Sequence, residues 1–337
     1  MPDSINKIFR LKTRPSGRVS KNDFIREESR LEDVAQGFAR VRVEYISLDP
    51  TNRIWMTDMP QYMPPVGLGD VMRGFGVGVV TESQSPLLKS GDRVSGLLGW
   101  QTVATLPAVS LQKVPDMEPL PPSVVLGPLG MTGATAYFGL LDIGKPQAGE
   151  TLVVSAAAGA VGSIVGQIGK INGLKVVGIA GGDTKCDWLT NDLGFDAAIN
   201  YKSESFSQQL ADACSSGIDI YFDNVGGEIL DKVLPHMNLF GRIPLCGMIS
   251  VYNAEQPVPG PYQFSQILMK RIRLQGFIIL DYARRMPEAL NAIQGWLKND
   301  RIKYKETVVE GFDSLPDALN MLFSGDNIGK LMVRVGP

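Results

Sequence analysis

The distribution of hydrophobic and polar positions changes along the chain, and its two patterns predict two domains. In residues 1–125, short apolar runs are interrupted by Gly, Pro and Asp. The segment ARVRVEYISL alternates, with Val41, Val43 and Tyr45 facing one way and charged residues between them, which is typical of a strand with one buried face. RGFGVGVVTES and GDRVSGLLGW follow, each beside a turn signal. This part of the chain predicts a compact antiparallel barrel or sandwich.

From Thr151 onward, predicted strands alternate with predicted helices. The strands are TLVVS, KVVGIA, AAINY, IDIYFDNV, FGRIPLCG and LQGFIIL. Helices are expected over VGSIVGQIGKIN and near residues 183–193, 205–215 and 227–236. Continuous apolar strands separated by helices indicate a parallel sheet that is covered on both faces. Residues 126–309 are therefore predicted to form a doubly wound α/β domain.

The C-terminal segment predicts one more helix and one more strand. The helix is expected near residues 314–324, where Ser314 and Asp317 form a capping box at its start and Gly325 ends it. The strand KLMVRV is expected to rejoin the first domain. The first domain would then comprise residues 1–125 completed by residues 310–337.

Composition and charge exclude several classes of protein. The chain has 337 residues, of which 44% are hydrophobic and 20% charged, enough for two domains with cores of their own. A formal charge of -2 provides no basic surface for nucleic acid. The N-terminal segment is polar, unlike a secretion signal, and no apolar run approaches the roughly 20 residues that span a bilayer. The expected location is the cytoplasm, with no membrane or nucleic-acid partner.

Cysteine and histidine are scarce, which argues against a metal centre. Cys186, Cys214 and Cys246 are too scattered for a disulfide framework or a CxxC cluster, and we expect buried thiols. The single histidine, His236, is expected near a helix end in a structural role. Because a zinc site needs about four ligands, mostly Cys and His, no metal is expected.

The segment VVSAAAGAVGSIVGQIGKIN resembles a dinucleotide-binding turn with one glycine replaced. In a GxGxxG turn the first glycine forms the bend, the second lets the backbone approach a pyrophosphate, and the third lets the helix pack on the strand. Here the three positions are Ala157, Gly159 and Gly162. The helix after Gly162 directs its positive dipole end toward an anion. The pattern predicts dinucleotide binding, with a tightly packed helix start in a flavodoxin-like domain as the alternative.

The residues after the second strand indicate which dinucleotide binds. An NAD site usually carries an acid about 20 residues after the glycines, where it contacts the ribose 2'-hydroxyl. This chain has Ala180, Gly181 and Gly182 there, followed by Lys185. Small residues and a positive charge leave room for a 2'-phosphate, and Asp183 is expected to cap the next helix instead. NADPH is therefore favoured over NADH, although Lys185 could also be a solvated helix residue.

Several motifs carry a family resemblance that covers nearly the whole chain. They are AAAGAVGS, GGDTK, NYK, YFDNVGGE, LCGMISVYN and GDNIGK. Together they resemble the medium-chain dehydrogenase/reductase superfamily, and in particular its zinc-free branch of leukotriene B4 dehydrogenase, prostaglandin reductase and curcumin reductase. The resemblance implies a GroES-like β-rich domain, a Rossmann cofactor domain, a homodimer, and reduction of an activated carbon-carbon double bond with NADPH.

The resemblance also implies cofactor contacts at particular positions. The pyrophosphate turn comprises Gly159, Ala160, Val161 and Gly162, and the adenosine phosphate is contacted by Lys185 and Tyr201. Asn224 lies at the following strand end, and Asn327 is contributed by the tail. The path to the nicotinamide is lined by Cys246, Gly247, Met248, Ile249, Ser250, Tyr252, Phe277, Ile278 and Ile279. Met131 and Thr132 are further candidates for nicotinamide contacts. Asn224, Cys246 and Phe277 also follow predicted strand ends, where open parallel sheets bind ligands. Simple loop structure is the alternative for each.

Four residues are candidates for the catalytic site. Tyr252 is the first choice as a hydroxyl donor or anchor of the nicotinamide ribose, and Tyr62 and Tyr262 resemble family tyrosines that line the substrate cavity. The alternative is that all three are loop anchors. After SLDP, where much of the branch has Tyr-Met-Arg, this chain has Thr-Asn-Arg, so a family tyrosine is absent and Asn52 is shorter and more polar.

The expected chemistry needs no metal. Reduction of a ketone concentrates negative charge on one oxygen, whereas hydride addition to an enone spreads the charge over an enolate that one hydroxyl donor can stabilise. The expected activity is NADPH-dependent reduction of the C=C bond of α,β-unsaturated ketones or aldehydes. An NADPH quinone reductase of the same superfamily, or a non-catalytic protein that senses NADPH, are the alternatives.

Overall fold

The computed structural model of the chain describes residues 5–336, so residues 1–4 of the polar N-terminal segment, and residue 337, lie outside the described residues. Its strands are β1 Ile5–Leu11, β2 Phe24–Arg30, β3 Phe38–Ser47, β4 Gly76–Ser83, β5 Arg93–Gly96, β6 Val103–Pro107, β7 Gln112–Lys113, β8 Thr151–Val154, β9 Lys175–Ala180, β10 Ala197–Asn200, β11 Ile218–Phe222, β12 Met237–Leu245, β13 Arg273–Gly276, β14 Glu306–Glu310 and β15 Lys330–Arg334. Its α-helices are α1 Thr51–Trp55, α2 Met131–Phe138, α3 Gly162–Ile171, α4 Asp183–Asp187, α5 Phe206–Ala213, α6 Gly227–Val233, α7 Ser265–Met269, α8 Met286–Lys298 and α9 Leu315–Ser324.

Contacts between Cα atoms divide the chain into two compact units. Of the described residues, 5–126, 306–327 and 331–336 form the first unit, and 127–305 and 328–330 form the second. The predicted strand KLMVRV corresponds to β15, which pairs antiparallel with β3 of the first unit.

The first unit is built on a mainly antiparallel sheet. Its order is β14-β15-β3-β4-β5-β7, with β6 also paired to β3, and β1 and β2 form a separate hairpin. Val41 and Val43 of β3 are 0% and 2% exposed, as the alternating pattern predicts, while Arg42 between them is half-buried. These valines pack with Phe9, Phe24 and other residues in one apolar core.

The second unit contains a parallel sheet in the order β10-β9-β8-β11-β12-β13. Successive residues of β8 enter opposite cores, because side chains alternate across a strand. Leu152 and Val154 pack with Ile164 of α3, whereas Val153 packs with Leu210 of α5 on the other face. The predicted fold class, a β-rich domain plus a doubly wound parallel-sheet domain, is confirmed.

Two local predictions need correction. Ser314 is the N-cap of α9 but makes no side-chain cap bond, because its Oγ donates to Gly311 O at 2.6 Å, whereas Gly325 ends the helix at φ 78° as expected. The strand predicted over LQGFIIL ends at Gly276, and a 3-10 helix over Ile279–Arg285 replaces its second half.

His236 occupies the predicted position at a helix end. It closes the 3-10 helix Leu234–His236 that follows α6 and is half-buried. Burial, and then the positive charge of Lys270, lower its pKa from the ordinary value. The Lys270 Nζ donates to Met237 O at 2.7 Å beside it. These contacts agree with a structural role for the ring.

Within residues 5–336, no helix is both long enough and apolar enough to cross a bilayer.

Candidate functional site

The predicted phosphate turn connects β8 to α3, and backbone contacts require a glycine at its third position. A Cβ on Gly162 would lie 2.5 Å from Ala156 O and 2.8 Å from Ala157 Cα, so no larger residue fits without moving the turn. Gly159 N donates to Ala156 O at 2.9 Å. The left-handed residue of the turn is Ala156, at φ 47°, one position before the expected bend at Ala157. The turn therefore bends without a glycine at its first position.

Two glycines, Gly181 and Gly182, follow β9, and the first of them packs against a tyrosine ring. A Cβ on Gly181 would lie 2.8 Å from Cε1 of Tyr201, so this glycine lets the ring approach the backbone. Tyr201 is 41% exposed, and the Lys202 Nζ lies 5.9 Å from the centre of its ring. Lys185 is half-buried on α4, one turn beyond these glycines. Tyr201 therefore lies against Gly181, and the Lys185 N–H donates to Gly182 O at 3.2 Å, so both predicted residues lie beside glycines.

The prediction that Asp183 caps α4 is wrong. The N-cap is Gly182, at φ 134°, and α4 has no side-chain cap bond. The Oδ1 of Asp183 instead accepts a hydrogen bond from Asn200 Nδ2 at 2.8 Å. This bond holds the carboxylate against the end of β10.

A buried acid joins the carboxyl ends of neighbouring strands. Asp223 follows β11 and is 0% exposed. Its Oδ1 accepts four hydrogen bonds, from Ser155 Oγ at 3.1 Å and from Tyr221 Oη, Val225 N and Gly226 N at 2.9 Å each. Burial nevertheless raises the pKa of this carboxyl. The sequence interpretation missed Asp223, although an acid at the end of an apolar strand could have suggested it.

Asn224, a predicted cofactor residue, lies at the point where the strand order reverses. Its Nδ2 donates to Ser155 O at 2.7 Å, and its backbone N–H donates to Ser155 Oγ at 2.9 Å. These bonds connect the end of β11 to the end of β8. Open parallel sheets bind ligands at such a reversal of strand order.

A cavity of about 410 Å³ opens in the second unit at the carboxyl ends of β12 and β13. Its lining residues are Leu245, Cys246, Gly247, Met248, Tyr252, Gly276, Phe277, Ile278 and Asp281. Six of the predicted cofactor residues are among them, although they come from two separate segments of the sequence. Asp281 is the lining residue that brings a charge, and the sequence interpretation missed it because no motif marked it.

Hydrogen bonding fixes the position of Tyr252 on the cavity wall. Its Oη accepts the Met248 N–H at 2.9 Å, which closes a short turn after β12. Burial raises the pKa of the nearby Cys246 thiol to about 12, with a further contribution from the charge of Asp223. The Cys246 thiol is therefore protonated near neutral pH. The Tyr252 side chain lines the cavity, so its hydroxyl is placed to contact a ligand.

Other predicted residues of the second unit are not among the described residues that line this cavity. Ser250 Oγ donates to Val225 O at 2.6 Å, and Ile249 N donates to Asn224 O at 3.3 Å. Ile279 begins the 3-10 helix that follows the cavity segment. On α2, Thr132 Oγ1 donates to Gly127 O at 2.8 Å, and the preceding Met131 is half-buried. Their contacts with a cofactor stay a prediction.

The predicted residues of the first unit differ widely in exposure. Asn52 is 1% exposed, with its Oδ1 accepting Asp49 N at 2.7 Å and its Nδ2 donating to Arg73 O at 3.2 Å. Tyr62 is 42% exposed, and its hydroxyl is hydrogen-bonded to that of Thr51. Asn327 is 7% exposed. The amide of Asn52 therefore supports two backbone segments, and a catalytic role for it stays a prediction.

Tyr262 of the second unit is 82% exposed, and its neighbour Gln263 donates its N–H to Asp231 at 2.9 Å. Tyr262 is not among the described residues that line the 410 Å³ cavity.

Comparison with known proteins identifies the family. Residues 7–114 match a family model described as the N-terminal domain of oxidoreductase, and residues 160–295 match one described as zinc-binding dehydrogenase. The chain is 46% identical to NADPH-dependent curcumin reductase of Escherichia coli (strain K12), with 98% of this chain and 97% of the relative covered. It is 41% identical to prostaglandin reductase 1 of Bos taurus, with 97% and 98% covered. The crystal structure of CurA from Vibrio vulnificus in complex with NADPH matches with a TM-score of 0.93 and 44% identity, over 98% of this chain and 99% of that one.

The chain belongs to the medium-chain dehydrogenase/reductase superfamily. The resemblance to its branch of curcumin and prostaglandin reductases is confirmed. A 2-alkenal reductase (NADP(+)-dependent) of Nicotiana tabacum is also 44% identical, with 86% of this chain and 85% of the relative covered.

Zinc, which the description of one matching model mentions, does not fit the residues of this member of the superfamily. Between residues 5 and 336, no three His, Cys, Asp or Glu side chains are placed so that they could hold a metal ion. The cysteines are unpaired, and only Cys214 is buried as expected, whereas Cys186 and Cys246 are half-buried. Burial raises the pKa of the Cys214 thiol to about 11.

Proposed function

We propose that this protein is an oxidoreductase that uses NADPH to reduce the carbon-carbon double bond of α,β-unsaturated ketones or aldehydes. The relatives named for curcumin, prostaglandin and 2-alkenal reduction support this activity, because two of them align over nearly all of both chains. The observation that carries the proposal is structural. A glycine turn for a pyrophosphate, a lysine that follows two glycines, and a largely apolar cavity occur along the carboxyl edge of one parallel sheet.

The residues along this edge fit NADPH. Gly159 to Gly162 would hold the pyrophosphate, since a Cβ on Gly162 would collide with the turn and the helix beyond it offers its positive end. Lys185 and Tyr201 would hold the 2'-phosphate, beside the side-chain-free Gly181. The bond from Asn200 keeps the Asp183 carboxylate occupied. We therefore expect NADPH to bind more tightly than NADH.

Bound NADPH supplies the hydride. The protein orients the acceptor and stabilises the negative charge that develops on its carbonyl oxygen. We assign the Tyr252 hydroxyl to hydrogen-bond donation, either to that oxygen or to the cofactor ribose, since the Met248 N–H fixes its position on the cavity wall. Cys246, Met248, Phe277 and Ile278 would form the apolar wall of the site. Tyr62 and Tyr262 are proposed to contact substrate.

The same proposal includes the assembly and location of the protein. β13 is at the edge of the parallel sheet, and its four residues are all exposed. A second copy of the chain could therefore extend the sheet there. We therefore propose a homodimer. Three unpaired cysteines are compatible with a reducing compartment, and we propose the cytoplasm.

A substrate panel tests the activity. Purified protein is mixed with NADPH and, in separate reactions, with a medium-chain enone, an enal, a saturated ketone and a benzoquinone, and NADPH oxidation is followed by absorbance. Product analysis distinguishes C=C from C=O reduction. We expect oxidation with the enone and enal to give saturated carbonyl products. Faster turnover of the benzoquinone would favour a quinone reductase, and tight NADPH binding without turnover of any compound would favour a sensor.

A further inference from the structure

One acid gives the apolar cavity of the second unit a charge. Among the described residues that line it, Asp281 is charged, and the others are apolar, glycine, cysteine or tyrosine. Asp281 is exposed, and no ion pair to its side chain occurs within residues 5–336. Its carboxylate therefore faces whatever else enters the cavity.

The segment that bears Asp281 is anchored on both sides. Phe277 packs against the π-helix Gly139–Gly144 that follows α2, where a Cβ on Gly139 would lie 2.4 Å from the Phe277 ring. The Tyr282 ring stacks on Phe138 with the ring centres 4.4 Å apart. These contacts fix the backbone on either side of Asp281, and therefore the direction from which its charge acts.

Two arginines, Arg284 and Arg285, follow Asp281 on the same 3-10 helix, and neither is among the described residues that line the cavity. Arg285 forms an ion pair with Asp142 and binds Glu288 with its Nε at 2.8 Å. Its guanidinium also lies 4.8 Å from the centre of the Phe138 ring. The charge of Arg285 is therefore paired with Asp142 and Glu288 and does not compensate the charge of Asp281.

We propose that Asp281 determines substrate charge: the cavity accepts uncharged enones and enals and disfavours those that carry a carboxylate. This inference rests on the proposed function. The apolar wall stabilises the carbon skeleton of either kind of substrate by burying it. A carboxylate on the substrate is additionally repelled by Asp281, and salt partly screens that repulsion because the site is open to water.

The test compares an enone that ends in a carboxylate with the methyl ester of the same compound, so that the reacting group and the cofactor stay the same. The measured quantity is the ratio of kcat/KM for the acid to kcat/KM for the ester. We expect wild type to prefer the ester. Asp281→Asn should raise the ratio about three- to tenfold at low ionic strength, as for one partly screened charge pair, and added salt should shrink the difference.

Two further variants make the result specific. Asp281→Lys should raise the ratio further, because it attracts the acid. Asp192→Asn removes an exposed acid elsewhere in the same unit and should leave the ratio unchanged. Wild type that reduces the ester, with the same ratio in wild type, Asp281→Asn and Asp281→Lys, would overturn the inference alone. Failure of wild type to reduce either compound would overturn the proposed function as well.

Discussion

At the scale of single residues, Tyr252 is the side chain with the most direct expected effect on turnover. Replacing it with phenylalanine removes the acceptor of the Met248 N–H and a hydroxyl on the cavity wall, but leaves the ring. We expect Tyr252→Phe to lower kcat/KM for an enone roughly tenfold, as for loss of one hydrogen bond that acts in the transition state. Steady-state kinetics with NADPH measures this.

Tyr282→Phe is the matched control, because it also removes one phenol hydroxyl from the second unit but from a ring stacked on Phe138. It should leave kcat/KM close to that of wild type. Unchanged kcat and KM in Tyr252→Phe would show that this hydroxyl has no part in the reaction.

The choice of cofactor depends on Lys185. Its ammonium group would pair with the 2'-phosphate, which NADH lacks, so Lys185→Ala should raise the KM for NADPH about tenfold and leave that for NADH nearly unchanged. Initial rates with each cofactor at a fixed enone concentration measure both values. Lys298→Ala, at an exposed lysine at the end of α8, is the control and should change neither.

Equal effects of Lys185→Ala on NADPH and NADH would contradict the assigned phosphate contact. Wild type that binds NADH as tightly as NADPH would contradict the choice of cofactor itself.

At the scale of elements, two glycine-to-alanine substitutions in helices should have opposite effects. Gly162→Ala places a methyl group 2.5 Å from Ala156 O at the start of α3, so it should destabilise the fold by about 1–3 kcal/mol and weaken NADPH binding. Gly295→Ala is in the middle of α8, where nothing lies within 4 Å of the added Cβ, and should stabilise by about 0.5–1 kcal/mol.

Urea denaturation gives both free energies of unfolding, and fluorescence titration gives the NADPH affinity. A stable Gly162→Ala protein with wild-type NADPH affinity would show that the turn between β8 and α3 does not hold the cofactor.

The elements that the sequence predicted correctly are those whose pattern is local and repeated. β8, α3 and β9 were predicted from the periodicity of their apolar residues. That periodicity involves many positions, so no single residue decides it. The caps failed because each depends on a single competing bond. Ser314 Oγ donates to Gly311 O within its own turn, whereas Asp183 accepts a bond from Asn200, a residue of another strand. A hydrogen bond such as that from Asn200 cannot be predicted from the residues around α4, because its donor lies 17 residues further along the chain.

The site shows the same division. Cys246, Met248, Tyr252 and Phe277 could be predicted because family motifs mark them, and the structure brings them to one cavity. Asp281 could not, because it follows an apolar run that predicted a continued strand. That run becomes a 3-10 helix where Tyr282 stacks on Phe138, a contact between segments far apart in sequence.

At the scale of the whole molecule, the parallel sheet has one edge that its own chain leaves exposed. β10 lies at one edge, with its residues buried or half-buried, whereas the four residues of β13 at the other edge are all exposed. Leu274 of β13 is 37% exposed. Natural proteins protect long exposed edges, since unpaired backbone groups attract another strand, and pairing with a second copy is one such protection.

The proposed homodimer can be tested at this edge. Sedimentation equilibrium should give twice the mass of one chain for wild type at micromolar concentration. Leu274→Lys adds a charge to the edge strand and should shift the population toward monomer, because two copies would bring like charges together at a two-fold axis. Leu87→Lys, at a leucine of the first unit that is 55% exposed, provides the control and should remain dimeric. A wild-type protein that sediments as a monomer would contradict the assembly, and a dimeric Leu274→Lys protein would place the interface away from β13.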